Sequence, residues 1–294
     1  MIELIVVSLI WAFSFGLIKD NLTGIDPNFV AFVRLGLAFL IFAPLLRLRG
    51  FSRRTALALV LTGAVQYGIM YIAYIFSFRF LKSYEVALFT ILTPFYLTII
   101  NDFFQRRFQW FNLFTALLAI TATAVIQSGG TLGSDLLTGF LIVQVSNLAF
   151  AFGQLYYKRI LASTPDVKDH QVFGLLYGGA VLLTFASTTL STGWQGISLT
   201  GSQVLSLLYL GIIASGLGFF LWNRGARKVD NGLLAVFNNL KIPLSVAVSL
   251  LVFGERTNIP NLLVGGVIML VALVLSELKP VRLIKILKSS GLPI

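Results

Sequence analysis

Ten apolar runs, each long enough to cross a bilayer, account for most of this 294-residue sequence. They cover residues 3–19, 27–46, 55–78, 85–104, 110–128, 136–157, 171–191, 203–223, 232–253 and 261–278. A helix needs about 17 to 25 mostly apolar residues to traverse roughly 30 Å of hydrocarbon. Inside that hydrocarbon every backbone amide must be paired within its own segment, which selects helices over open sheets. The breaks between runs hold at most 13 residues, too few for a soluble domain. With 57% hydrophobic and 11% charged residues, a water-soluble fold is excluded. The first run opens on Glu3 and has no basic flank, so it reads as a retained helix and not as a cleaved leader.

The formal net charge of +11 does not form a nucleic-acid-binding face, because the basic residues fall in the breaks. If breaks are assigned alternately to the two sides of the membrane, 16 of the 22 Lys and Arg lie on the side of the N-terminus and 4 on the other. Arg34 and Lys241 lie inside runs. Cytoplasmic loops carry the excess of Lys and Arg, so a multi-pass protein of the cytoplasmic (inner) membrane with both termini cytoplasmic is expected. The chain has no cysteine, which removes disulfides and thiolate metal sites.

The halves repeat each other. Trp11-Ala12-Phe13-Ser14-Phe15-Gly16 in the first run returns as Leu148-Ala149-Phe150-Ala151-Phe152-Gly153 in the sixth, and Pro94 in the fourth is answered by Pro243 in the ninth. Five spans is an odd number, so the second copy enters from the opposite side and the repeat is inverted. The predicted fold is an all-α integral membrane protein with ten transmembrane helices in two inverted five-helix repeats. Residues 1–130 form the first repeat, 131–280 the second and 281–294 a basic cytoplasmic tail. Small residues four apart, Ala12 with Gly16 and Ala149 with Gly153, suit close helix approach in lipid.

These residues resemble the EamA type of the drug/metabolite transporter superfamily over essentially the whole chain. The resemblance is carried by Leu221 to Val229, Pro243, Phe253 to Thr257 and the Gly265-Gly266 pair, with first-half counterparts Trp11, Arg34, Pro94 and Arg107 beside Phe108. It implies transport of small organic solutes, a cavity built by helices 1 to 4 and 6 to 9, and peripheral helices 5 and 10. Two departures stand out. The Glu255-Arg256 pattern is answered in the first half by Arg106-Arg107, without the acid, and Lys241 stands where many relatives carry an acidic residue. The Asn238-Asn239-Leu240-Lys241-Ile242-Pro243 form resembles the carboxylate, amino-acid and amine transporter branch, which implies amino acids or other carboxylate-bearing substrates.

Lys241 stands about ten residues into the ninth run, near mid-membrane. A charge there costs about 2.5 to 3.5 kcal/mol even on insertion scales and marks a functional site by default. Pro243 cannot donate to the carbonyl of Asn239, so a kink and a free acceptor are expected beside it. Lys241 is thus either a counter-ion to a substrate carboxylate, with Asn238 and Asn239 orienting the solute, or a donor to freed carbonyls. Tyr67, Tyr71 and Tyr74 share one helical face and suit a wet, aromatic cavity wall or a packing seam. Trp11, Asn147, Gln154 and Trp222 complete the candidate binding set, with Phe15, Gln66, Thr90, Thr93, Gln144 and Asn223 as weaker candidates. Arg34, Pro94, Pro243, Gly16 and Gly153 are assigned to structure or gating. Asp166, Asp169 and His170 read as a solvated loop and not as a metal site.

Eleven acidic residues all sit at run ends or in breaks, so no mid-membrane carboxylate is offered as a proton relay. Neither a metalloprotease His-Glu-x-x-His, a Gly-x-Ser-x-Gly elbow nor a phosphate loop is present, which excludes the commonest enzyme classes. The expectation is a carrier without enzymatic activity or cofactor, working by alternating access, coupled to an ion or proton or exchanging solutes, as a monomer or homodimer in the bilayer. Its partner is a small molecule and not a nucleic acid. An exporter of aromatic or cationic compounds on the same fold is the alternative, and a channel or lipid scramblase the competitor from another class.

Overall fold

The computed structural model describes residues 2–47, 52–104, 134–164, 167–191, 196–229 and 231–277, with a few single positions between them. The fifth run, residues 110–128, falls almost entirely outside the described residues, as do Arg107, Phe108 and the tail 281–294. The described residues form helical rods that follow the other predicted runs within a few residues. These are α1 (Ile2–Leu22), α2 (Pro27–Leu45), α3 (Arg53–Ser77), α4 (Ser83–Phe104), α5 (Ser134–Ala162), α6 (Asp169–Ser191) and α7 (Gly201–Ala226), then α8 (Asn231–Leu251) and α9 (Ile259–Glu277). The first seven have the length and apolarity of membrane spans.

Local chemistry sets where the rods begin. Asp26 caps α2 by accepting from the amides of Asn28 and Phe29, and Pro27 supplies a first residue that needs no partner for an amide. Ser52 accepts from the Thr55 amide at the start of α3, and Thr200 with Gln203 forms a reciprocal capping box on α7. Outward faces are apolar: Leu137, Leu141, Val145 and Leu148 form one exposed stripe along α5, as expected of a surface that meets lipid tails.

The packing repeats with the sequence. α1 packs on α8 as α5 packs on α4, α3 on α6 as α7 on α2, and α3 on α5 as α7 on α1. The α3/α6 crossing is the closest: a Cβ on Gly63 would overlap the Leu176 carbonyl, and one on Gly179 the Val60 carbonyl. Without a hydrophobic drive between helices in lipid, such backbone-to-backbone contact supplies the attraction. Gly16 instead receives the ring of Phe253 from beyond α8, and Gly153 the side chain of Gln66. The small-residue pairs therefore seat side chains and do not form a matched pair of seams.

Two features lie outside the sequence expectations. α3 and α7, equivalent in the packing, both widen to π-helix, over Ala64–Ile69 and Tyr209–Leu217. π-bulges release carbonyls and cluster at functional sites. The two proline helices also differ. A 3-10 turn at Thr90–Leu92 interrupts α4 just before Pro94, whereas Pro243 sits inside the helix Asn231–Leu251.

Candidate functional site

A cavity of about 70 Å³ opens at the middle of the bundle. Trp11, Ser14 and Phe15 of α1, Arg34 of α2, Tyr71 and Tyr74 of α3, Thr90 and Thr93 of α4, Asn147 of α5, Phe219 of α7 and Lys241 of α8 line it. α6 contributes no lining residue, which corrects the expectation that the seventh run walls the cavity. Its glycines bring its backbone so close to α3 that it stands behind the wall, where Tyr177 stacks on Tyr67 with ring centres 5.2 Å apart.

The π-helical stretch of α7 builds one side of this site. Ser215 Oγ donates five residues back, to the Leu210 carbonyl at 2.7 Å. The Ala214 carbonyl accepts from Trp11 Nε1 at 3.0 Å, and the Ser215 carbonyl from the Tyr177 hydroxyl at 2.6 Å. The widened turn thus ties α1, α6 and α7 together while turning Ser215 Oγ toward Arg34.

Arg34 is 2% exposed. Its Nη2 donates to the Tyr71 hydroxyl at 2.8 Å and its Nε to Ser215 Oγ at 3.3 Å, with the guanidinium 4.2 Å from the Tyr71 ring centre. Because Ser215 spends its proton on Leu210, the Tyr71 hydroxyl donates across the 2.8 Å contact between the two oxygens. Nη1 has no partner. Arg34, assigned from sequence to gating or structure, is therefore oriented on two atoms at the cavity wall.

Lys241 is 7% exposed, with Nζ 5.3 Å from the centre of the Trp11 ring and no hydrogen-bond acceptor among the described residues. Its own carbonyl accepts from Ser245 Oγ at 2.7 Å. The described lining holds two cationic side chains and no carboxylate. In a low-dielectric interior an unpaired charge calls for a counter-charge or cation–π contact, and Trp11 supplies only the latter.

The other predicted residues divide by depth. Trp11, Tyr71, Tyr74, Asn147 and Lys241 reach the cavity. The Asn147 amide is already committed: Nδ2 donates to the Phe89 carbonyl at 2.9 Å and to Gln144 Oε1 at 3.0 Å, pinning α5 to the break in α4. Thr93 Oγ1 takes the Thr90 carbonyl at 2.7 Å, the acceptor that Pro94 cannot serve. Tyr67, Gln154, Trp222, Asn238 and Asn239 are buried but do not line the cavity. Trp222 lies 5.1 Å from Trp11 by ring centres, beneath a plate in which Trp11 also meets Phe219 at 4.8 Å and Phe150 at 6.5 Å.

Both ends of the bundle are tied. At one, Asp169 accepts from the Tyr157 hydroxyl and pairs with Arg227 at 2.8 Å, and Glu3 pairs with Arg224 at 3.2 Å and Lys228 at 2.9 Å. Asp169 thus has a definite partner and is not part of a solvated loop. At the other end, Glu255 accepts from the amides of Ser83 and Tyr84, and Lys82 Nζ donates to the Arg256 carbonyl.

The sequence matches the EamA-like transporter family over residues 1–128 and again over 137–277. The chain belongs to that family. A biotin transporter of Salmonella typhimurium is 38% identical over 275 residues, 93% of this chain and 91% of the relative. A biotin transporter of Escherichia coli K12 matches with the same identity and coverage. One solved crystal structure, 17% identical, superposes with a TM-score of 0.66 over 94% of this chain and 95% of its own, which shows the shared fold. As an EamA-like transporter the chain is a multi-pass membrane protein acting on a small-molecule substrate, and not an enzyme. Within it, sequence reasoning missed Ser215 and Ser14 as site residues; two serines in apolar runs carry no periodic signal.

Proposed function

We propose that this protein is a secondary carrier that moves small carboxylate-bearing solutes across the cytoplasmic membrane by alternating access, with biotin as the first candidate. The observation that carries this reading is the charge of the lining: Arg34 and Lys241 both line a cavity whose described lining has no acid, and among the described residues Arg34 Nη1 has no partner and Lys241 Nζ no acceptor. A bound carboxylate would supply the missing negative charge through charge-assisted hydrogen bonds. Biotin offers one carboxylate on an aliphatic chain and a neutral ureide ring, and Trp11, Phe15, Tyr74 and Phe219 offer an apolar enclosure for the body of such a molecule. The names of the 38%-identical relatives point the same way.

The amino-acid expectation is weakened by the same lining, since the ammonium of a zwitterion would find two cations and no carboxylate. Export of cationic aromatics is disfavoured for the same reason. On this reading the two repeats, residues 1–130 and 131–280, rock about the axis that relates them, flexing near Pro94 and Pro243, with Gly16 and Gly153 as seats for Phe253 and Gln66. Both termini are assigned to the cytoplasm, and reporters fused within Arg47 to Arg54 and after Ile294 test that assignment.

The test of function is uptake of labelled biotin and of an organic-acid and amino-acid panel into proteoliposomes, with half the vesicles preloaded. Saturable, preload-stimulated uptake of biotin or another carboxylate, lost in a monodisperse Lys241→Met variant, is expected. Uptake unchanged in Lys241→Met removes the counter-ion role, and flux without counterflow replaces the carrier with a channel.

A further inference from the structure

Four helices that line the cavity carry, one turn nearer the Arg227 end, a buried side chain with hydrogen-bonding groups to spare. Gln66 lies four residues before Met70, Gln154 four after Phe150, Trp222 three after Phe219, and Asn238 three before Lys241. Positions three and four apart share a helical face, so these side chains form a layer beneath the aromatic plate around Trp11. Contacts join part of it directly: the Gln66 side chain fills the space over Gly153, its Nε2 donates to Asn223 Oδ1 at 3.5 Å, and Asn223 Nδ2 donates to the Tyr67 hydroxyl at 2.8 Å.

All four are less than 5% exposed, yet among the described residues Gln66 Oε1, both amide atoms of Gln154, Trp222 Nε1 and both amide atoms of Asn238 have no partner. Buried polar atoms in native interiors are nearly always paired, and an idle group of this kind is expensive in a low dielectric. Here the amides of Gln154 and Asn238, the Gln66 amide oxygen and the Trp222 indole stand idle in one layer between the cavity and the end closed by Asp169 and Arg227. The layer carries donors and acceptors but no charge, whereas the cavity above it carries the two cations.

We propose that this layer is a second binding station for the transported solute, holding its neutral hydrogen-bonding groups (amide, ureide or hydroxyl) after the aromatic plate parts and the path opens toward the Arg227 end. The proposal rests on the carrier reading. The amides are unpaired in this structure because their partners, solute and water, reach them only in the opposite-facing state.

Because the chain has no cysteine, a single introduced cysteine is the sole thiol. Asn238→Cys and Gln154→Cys, each monodisperse in detergent, are reconstituted and exposed to a charged methanethiosulfonate on the Arg227 face during solute exchange, with Ser14→Cys as the cavity control. Modification of either layer position, slowed about fivefold or more by saturating biotin, is the expected result. No modification at both positions while Ser14→Cys reacts and is protected overturns the station and leaves the carrier reading intact. Modification that biotin does not slow, with Ser14→Cys protected, makes the layer a water path only and also overturns the station. If no carboxylate in the panel protects Ser14→Cys, the carrier reading fails and the station falls with it.

Discussion

Glu255 caps a helix that begins 172 residues earlier in the chain: one carboxylate oxygen accepts from the Ser83 amide at 2.9 Å and the other from the Tyr84 amide at 3.2 Å. The N-terminus of α4 therefore takes its cap from the loop after α8, while Glu85 of its own first turn accepts from the Lys82 amide at 2.8 Å. Gly254, at φ 64°, provides the left-handed turn that aims Glu255 back at α4. Loss of a cap costs about 0.5–2 kcal/mol, and the charge at a helix N-terminus adds to it in partly buried geometry. Glu255→Ala is expected to lower the thermal unfolding midpoint in detergent, and Glu255→Gln, which keeps an acceptor oxygen, to recover part of the loss. Equal midpoints for all three proteins would show that the cap contributes nothing to stability.

The orientation of Arg34 leads to a second prediction. Its Nη2 and Nε are fixed on Tyr71 and Ser215, so the planar fork is held in one geometry at the cavity wall. Lysine keeps the charge but not the fork. Arg34→Lys is expected to raise the half-saturating concentration for carboxylate uptake by about tenfold, equivalent to about 1.4 kcal/mol. Tyr71→Phe removes one neutral anchor and is expected to raise it by roughly two- to tenfold, the range of a single hydrogen bond. Arg34→Lys with unaltered uptake would reduce Arg34 to a scaffold residue.

A third prediction concerns the α3/α6 seam. At Gly63 and Gly179 an added methyl would meet a backbone carbonyl, which cannot rotate away, so Gly63→Ala and Gly179→Ala are each expected to cost about 1–3 kcal/mol or more by forcing the helices apart. Gly36, on α2, has nothing within 4 Å of such a methyl, and Gly36→Ala should leave the unfolding midpoint unchanged or raise it. The double variant Gly63→Ala/Gly179→Ala should lose less than the sum of its parts, because one displacement of α6 relieves both clashes. Additive losses would mean that the two sites yield independently.

The helical rods were legible because bilayer thickness imposes a run length on the sequence, and the pairing of Trp11 to Gly16 with Leu148 to Gly153 announced the repeat that the packing displays. Face and partner were less legible. Depth along a run identified Arg34 and Lys241 as unusual, but only the rotation of α2 and the widened turn of α7 decide that Arg34 faces the cavity. Tyr67, Tyr71 and Tyr74 share a stripe, yet the close approach of α6 buries Tyr67 under Tyr177 and leaves the other two at the wall. π-helical stretches use the same apolar residues as α-helix and leave no periodic trace. Asp169 looked solvated because its partner Arg227 is 58 residues away in sequence.

That Asp169–Arg227 pair leads to the last prediction. Their side chains are 17% and 30% exposed, so the pair is partly hydrated and belongs among ion pairs of about 0.2–1 kcal/mol. A contact of that strength biases an equilibrium between closed and open ends without locking it. Arg227→Gln removes the charge on one side and leaves Asp169 with Tyr157 alone, so the end of the bundle bounded by α5, α6 and α7 should open more often. Spin labels on Ser163→Cys and Val229→Cys, at the ends of α5 and α7, read this directly. The Arg227→Gln background should enlarge the long-distance population, and raising salt should do the same in the parent protein, since screening weakens exposed pairs first. The exchange Asp169→Arg with Arg227→Asp restores opposite charges and should bring back the short distance, less completely because the Tyr157 hydroxyl then meets a guanidinium and not its acceptor. Identical distance distributions in all four cases would show that the aromatic plate and helix packing close this end, with the ion pair a consequence of closure rather than a cause.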